Sequence, residues 1–233
     1  WQWMLPYIRT PDDWTAVAQA VARSLAKQNI VYAEASISPT DFREHGLSVA
    51  EIATAVRRGL DRVDETQVNL LVDLVRDTGP EWCARTLDQV IEVAPEAGIV
   101  GITIGGSEQD YPPGPYAQVY RRAGDAGLGR TVHAGEAGGP ANVWTALEEL
   151  GVDRIGHGVR AVEDSALVDV LVERQVPLEV CPTSNLRTGV VADWESHPVI
   201  ELVERGACVT ISSDDPTYFE CSLADDLREV ASR

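Results

Sequence analysis

Two hydrophobic periods alternate along this chain. Behind the start signal Thr10-Pro11-Asp12-Asp13, the residues Trp14, Val17, Ala18, Val21 and Leu25 recur at helical spacing, which predicts an amphipathic helix over 11–27. Residues 29–38 read as a strand closed by Pro39, and a polar loop over 40–46 leads to a helix over 48–63 with Ile52, Val56 and Leu60 on one face. The run 67–75 is apolar almost throughout, as in a strand covered on both faces. The rhythm continues with helix 81–94, strand 99–104, a helix after Pro115 to Ala126, strand 130–133, helix 141–150, strand 154–156 and helix 163–174. Strand 177–181 then leads into a loop at Pro182-Thr183-Ser184-Asn185, followed by helix 198–204, a last buried strand from Cys208, and a helical stub over 222–230.

Seven strands, each followed by a helix, imply a parallel sheet with helical crossovers, either a closed eight-stranded barrel or an open doubly wound sheet. Gly105-Gly106 is only a pair, and no glycine fingerprint follows the early strands, which argues against dinucleotide binding. The expected fold is therefore α/β, a TIM-type (β/α)8 barrel forming one catalytic domain over 1–233. Its first strand and last helices are expected to lie outside the given chain, which opens on Trp1 and has its single methionine at Met4. Trp1, Trp3, Met4, Leu5 and Tyr7 are expected to pack in a core or an interface.

Composition narrows the partners. A formal charge of −18 disfavours phosphate-backbone binding, so a nucleic-acid polymer is not expected. No run has the apolar length of a membrane span, and the start lacks a signal-peptide layout. Cys83, Cys181, Cys208 and Cys221 are far apart, as free thiols in a reducing cytoplasm would be, and no Cys-x-x-Cys pair exists for the zinc site of cytidine-type deaminases. An oligomer is left open.

In a β/α barrel, chemistry gathers at the C-terminal ends of the strands. The residues that stand out from the apolar strand pattern do fall there: Glu34 and Ser38, Asp73, Gly106, His133 with Glu136, His157, Ser184-Asn185, and Asp214-Asp215. Imidazoles and carboxylates are what a metal hydrolase needs. His45 and His197 read as loop or core residues, and Asp73 as structural. Glu34 stands between a buried ion pair and the pocket.

His133-Ala134-Gly135-Glu136, Gly156-His157-Gly158, Cys181-Pro182-Thr183-Ser184-Asn185 and Ser213-Asp214-Asp215-Pro216, in this order, resemble the adenosine deaminase family of metal-dependent amidohydrolases. Fainter matches run from Tyr32-Ala33-Glu34 through the segment 101–108 to His197-Pro198. The resemblance implies hydrolytic deamination of a 6-aminopurine nucleoside or a relative by a Zn2+-activated water. It further implies His133 and Asp214 as metal ligands, a protonated Glu136 as donor to the purine ring nitrogen, and His157 as the group that orients or deprotonates water. Asp215 would hydrogen-bond the imidazole side of the purine and the backbone N–H of Gly106 its pyrimidine side, while Ser184-Asn185 support the loop. Within the family the substrate extends to adenine, nucleotides and aminodeoxyfutalosine. The family's His-x-His pair does not occur in this sequence, whose histidines are His45, His133, His157 and His197. Two other readings therefore stand beside deamination: a different metal-dependent amidohydrolase, and a non-catalytic binding protein on a degenerate barrel.

Overall fold

A computed structural model describes residues 5–233. Of the N-terminal aromatic cluster, Trp1, Trp3 and Met4 lie outside the described residues, and Tyr7 is 74% exposed rather than packed in a core. The chain divides into two compact units, one made of 1–106 with 122–129 and the other of 107–121 with 130–233. The chain passes between them after Gly106, within helix α4 (Ala117–Asp125) and within the two-residue strand β4 (Gly129–Arg130).

The first unit is built on the parallel strands β1 (Tyr32–Ile37), β2 (Gln67–Asp73) and β3 (Ile99–Thr103), with Ala35 opposite Leu70 and Val72 opposite Ile102. Helices α2 (Val49–Leu60) and α3 (Pro80–Ala97) supply the crossovers, α1 (Pro11–Lys27) precedes β1 and packs on α2, and Ile52, Leu70, Leu87 and Ile102 are fully buried. Helices α1 and α2 each begin in a capping box, Thr10 with Asp13 and Ser48 with Glu51, which satisfies two of the otherwise unpaired first-turn donors. Gly59 lets α2 approach α1 closely, since a Cβ there would lie 2.3 Å from the Thr15 carbonyl oxygen. Two groups hold the turn after β3. Asp73 accepts from the backbone N–H groups of Val75 and Gly105 and from the Ser38 hydroxyl, while the fully buried Arg76 guanidinium donates to the carbonyls of Ile104 and Gly105.

The second unit carries the parallel sheet β5 (His133–Ala134), β6 (Ile155–His157), β7 (Leu178–Val180) and β8 (Val209–Ile211), in that order. The expected strand over 130–133 is interrupted. The Arg130 carbonyl accepts from both Asp153 N–H and Arg154 N–H, so two donors fall on one acceptor and the ladder slips before it resumes at His133. Strand β8, last in this sheet, is only partly buried, where a buried strand is expected. The segment expected as a loop after β7 is a short helix, α7 (Pro182–Arg187), with proline at its first position, where no N–H is needed. Helices α5 (Pro140–Thr145), α6 (Ser165–Arg174), α8 (Val199–Glu204), α9 (Pro216–Phe219) and α10 (Leu223–Ala231) complete it.

Candidate active site

Strands β5, β6 and β8 bring in the three residues that converge. His133 opens the two-residue β5, His157 closes β6, and Asp214 follows β8. One potential ligand atom from each of the three lies within 4.8 Å of the other two, and the imidazole centroids of His133 and His157 are 4.9 Å apart. Parallel pairing fixes this convergence, because His133 registers with Gly156 and Ala134 with His157. Glu136 joins them: its Oε2 lies 3.5 Å from His157 Nε2.

Two of these residues sit in strained backbone. His157 has φ +62° and Asp214 φ +53°, in the left-handed region that costs a non-glycine residue free energy and that recurs at functional positions. Flanking glycines make the turn at His157 feasible. Gly158 also has positive φ, and a Cβ on it would meet the Leu178 side chain at 2.8 Å.

The surroundings set the protonation and orientation of the cluster. His157 is 2% exposed, and burial pushes its pKa below the ordinary histidine value despite the opposing fields of Asp214, Glu108 and Glu179, so the ring is held neutral. A neutral imidazole is the form that binds a metal or takes a proton. Helix α7 supplies the supports expected of Ser184 and Asn185. The Ser184 hydroxyl donates to Asp214 Oδ2 at 2.6 Å, and the Asn185 amide nitrogen lies 3.3 Å from His157 Nδ1, which leaves Nε2 as the nitrogen facing Glu136. The buried Asp226 of α10 in turn accepts from the backbone and hydroxyl of Thr183. Burial and the acids around it hold the Cys181 thiol well above its usual range, so it is an inert neighbour.

Of the sequence-predicted residues, His133, Glu136, His157 and Asp214 come together in the second unit, with Asp215 exposed at the start of α9. Gly106 belongs to the first unit, where it turns at φ +95° so tightly that a Cβ would fall 1.8 Å from an Asp77 oxygen. Glu34 accepts from the Tyr32 hydroxyl on β1. Sequence reasoning passed over Glu108, which lies beneath the loop that carries Glu136 and accepts from its backbone. Its signal in the sequence was its place at the end of the segment 101–108, two positions beyond a glycine pair.

Two imidazoles and a carboxylate converging on one point suit a divalent cation of the zinc type, which takes nitrogen and oxygen donors. Ser184 and Asn185 beneath them are the outer hydrogen bonds that such ligands require.

Comparison with known proteins gives the family and the fold. A family model described as "Adenosine deaminase" matches residues 1–233. An adenine deaminase of Bordetella parapertussis is 35% identical over 216 residues, covering 91% of this chain and 67% of that protein. The crystal structure of an adenine deaminase from Arthrobacter aurescens superposes with a TM-score of 0.89 at 33% identity, over 98% of this chain and 70% of that one. An amidohydrolase from Burkholderia ambifaria, solved with bound Zn, gives 0.87 at 29% identity, over 93% and 62%. The chain thus spans about two-thirds of the length of these proteins. Its fold class is the α/β, TIM-type (β/α)8 barrel that its parallel strands and helical crossovers anticipate.

Proposed function

The chain belongs to the adenosine deaminase family, a family of deaminating hydrolases, and on that premise we propose that it removes the amino group of a 6-aminopurine, taken as base or nucleoside. The observation that carries this reading is the meeting of His133, His157 and Asp214, with Glu136 3.5 Å from His157 Nε2.

We assign His133 and Asp214 as donors to a divalent cation, zinc by our reading, with His157 beside them. When bound, such a cation supplies the Lewis acidity that makes water nucleophilic near neutral pH. The neutral His157 ring orients water or accepts its proton. Glu136 donates a proton to the ring nitrogen beside the amino-bearing carbon, which draws electron density from that carbon and opens it to attack. The water oxygen bonds to the carbon, the proton that His157 took from it passes to the departing amino group, the carbon–nitrogen bond breaks to release ammonia, and the remaining hydroxyl proton returns to Glu136 and leaves a carbonyl. Asp215, exposed next to Asp214, is our choice for the imidazole edge of the purine.

The net charge of −18 supports a small-molecule substrate over a nucleic-acid polymer. Among the described residues no helix is long and apolar enough to cross a membrane. Cys83, Cys181, Cys208 and Cys221 are free thiols, in keeping with a reducing cytoplasm.

The test is to supply zinc to the purified protein, offer adenine, adenosine and aminodeoxyfutalosine separately, and follow ammonia release together with the change in purine absorbance. Turnover of at least one is expected, abolished by a chelator. No ammonia from any of the three would remove the proposal.

A further inference from the structure

We infer that Glu108 is a positioning residue for Glu136, acting by clamping the backbone of the loop that carries it. The catalytic half of this rests on the deaminase reading; the clamp itself does not.

Glu108 is 4% exposed, and its two oxygens accept from four donors. Oε1 takes Gly135 N–H at 2.7 Å and the Asn142 amide at 3.0 Å; Oε2 takes Glu136 N–H at 3.1 Å and Gly138 N–H at 2.8 Å. Three of the four are backbone amides within 135–138, and one belongs to Glu136. Hydrogen bonds to an ionised acceptor are roughly twice as strong as neutral ones, so the carboxylate fixes the peptide plane that leads into the Glu136 Cα together with the planes before Gly135 and before Gly138.

The carbonyl side of the loop is tied as well. Arg160 Nη1 donates to the Ala137 carbonyl at 2.9 Å, Gln109 adds a second donor to it at 3.3 Å, and Arg160 N–H donates to the Gly135 carbonyl at 2.9 Å. Glycine allows this approach: a Cβ on Gly138 would stand 2.6 Å from Glu108 Oε1, and Gly135 turns at φ +72°. The direction in which Glu136 leaves the backbone, and hence its 3.5 Å approach to His157, is set by a side chain that holds the loop through its backbone amides and Asn142.

Glu108→Gln keeps the volume but replaces one oxygen with an N–H donor, which sets donor against donor at one pair of amides. Glu108→Ala removes the clamp, and the glutamine variant serves should the alanine variant not fold. Hydrogen–deuterium exchange over 135–138 is expected to quicken in both variants. On whichever aminopurine the parent protein deaminates, kcat should fall about 10- to 100-fold while KM changes by less than about threefold, the pattern of a misplaced catalytic group. Glu136→Gln should lose turnover yet keep its exchange protection. Unchanged exchange in both Glu108 variants would overturn the clamp, and faster exchange with unchanged kcat would overturn the positioning role. If the parent protein deaminates nothing, the deaminase reading falls while the exchange result still decides the clamp.

Discussion

Acidification should destabilise this protein partly through one residue outside the active site, His197. The ring is buried; its Nδ1 accepts Val199 N–H at 3.1 Å, and its Nε2 is enclosed among protein atoms. Burial, and after it the charge of Arg233, pushes its pKa down to about 4 from an ordinary 6.5. Above pH 6.5 the ring is neutral in both folded and unfolded chains, and it costs nothing. As pH falls through 6.5, the unfolded chain takes up a proton that the folded one refuses, until the folded pKa is reached. A shift of that size corresponds to about 3 kcal/mol lost in full below pH 4, of which about 2 kcal/mol is already gone at pH 5. His197→Asn keeps an acceptor for Val199 N–H and cannot titrate. Urea unfolding of both proteins at about pH 7.5 and about pH 5 should show the parent losing about 2 kcal/mol more than the variant over that interval. All other titrating groups are common to the two, so equal losses would refute the assignment of a low pKa to this buried ring.

Glu136→Gln should lower kcat by about 10²- to 10⁴-fold with little change in thermal stability, as removal of a general acid does; a retained rate in a steady-state ammonia assay would exclude Glu136 as the donor. Ser184→Ala frees Asp214 from its 2.6 Å hydrogen bond and should weaken zinc binding about 10- to 100-fold, read by competition with a chromophoric chelator. Burial raises the Asp226 pKa against the lowering effect of Thr183, so its ionised form opposes folding. That cost is absent below the unfolded pKa and grows as pH rises through the folded one. Asp226→Asn should thus melt no lower than the parent at pH 7, and a marked fall in Tm would contradict this. Gly59→Ala drives a methyl group to 2.3 Å from the Thr15 carbonyl and should cost about 1–3 kcal/mol in urea unfolding.

Much of the architecture was legible in one dimension. Crossover helices and parallel strands write their own periods into the chain, so helix 11–27 emerged with the bounds expected of it and strand 67–75 differed only at one end. The candidate cluster was legible for a related reason: a polar residue at or just beyond the end of a strand is presented at the sheet's C-terminal edge, as His157 is at the end of β6 and Asp214 three residues after β8. The short helix α7 was not legible, because Pro182-Thr183-Ser184-Asn185 is as much a turn sequence as a helix start until Ser184 and Asn185 find Asp214 and His157.

What the linear order of residues determined by itself was the alternation of elements and the identity of the groups at their ends, since both depend on local periodicity and chain stops. Only the tertiary structure decided that His157 stands within ligand distance of His133 and Asp214, that its ring is neutral, and that Glu108 grips a loop 27 residues further along the chain. Distances between strands, desolvation and the meeting of remote donors with a single carboxylate arise from packing in three dimensions, and no local pattern encodes them.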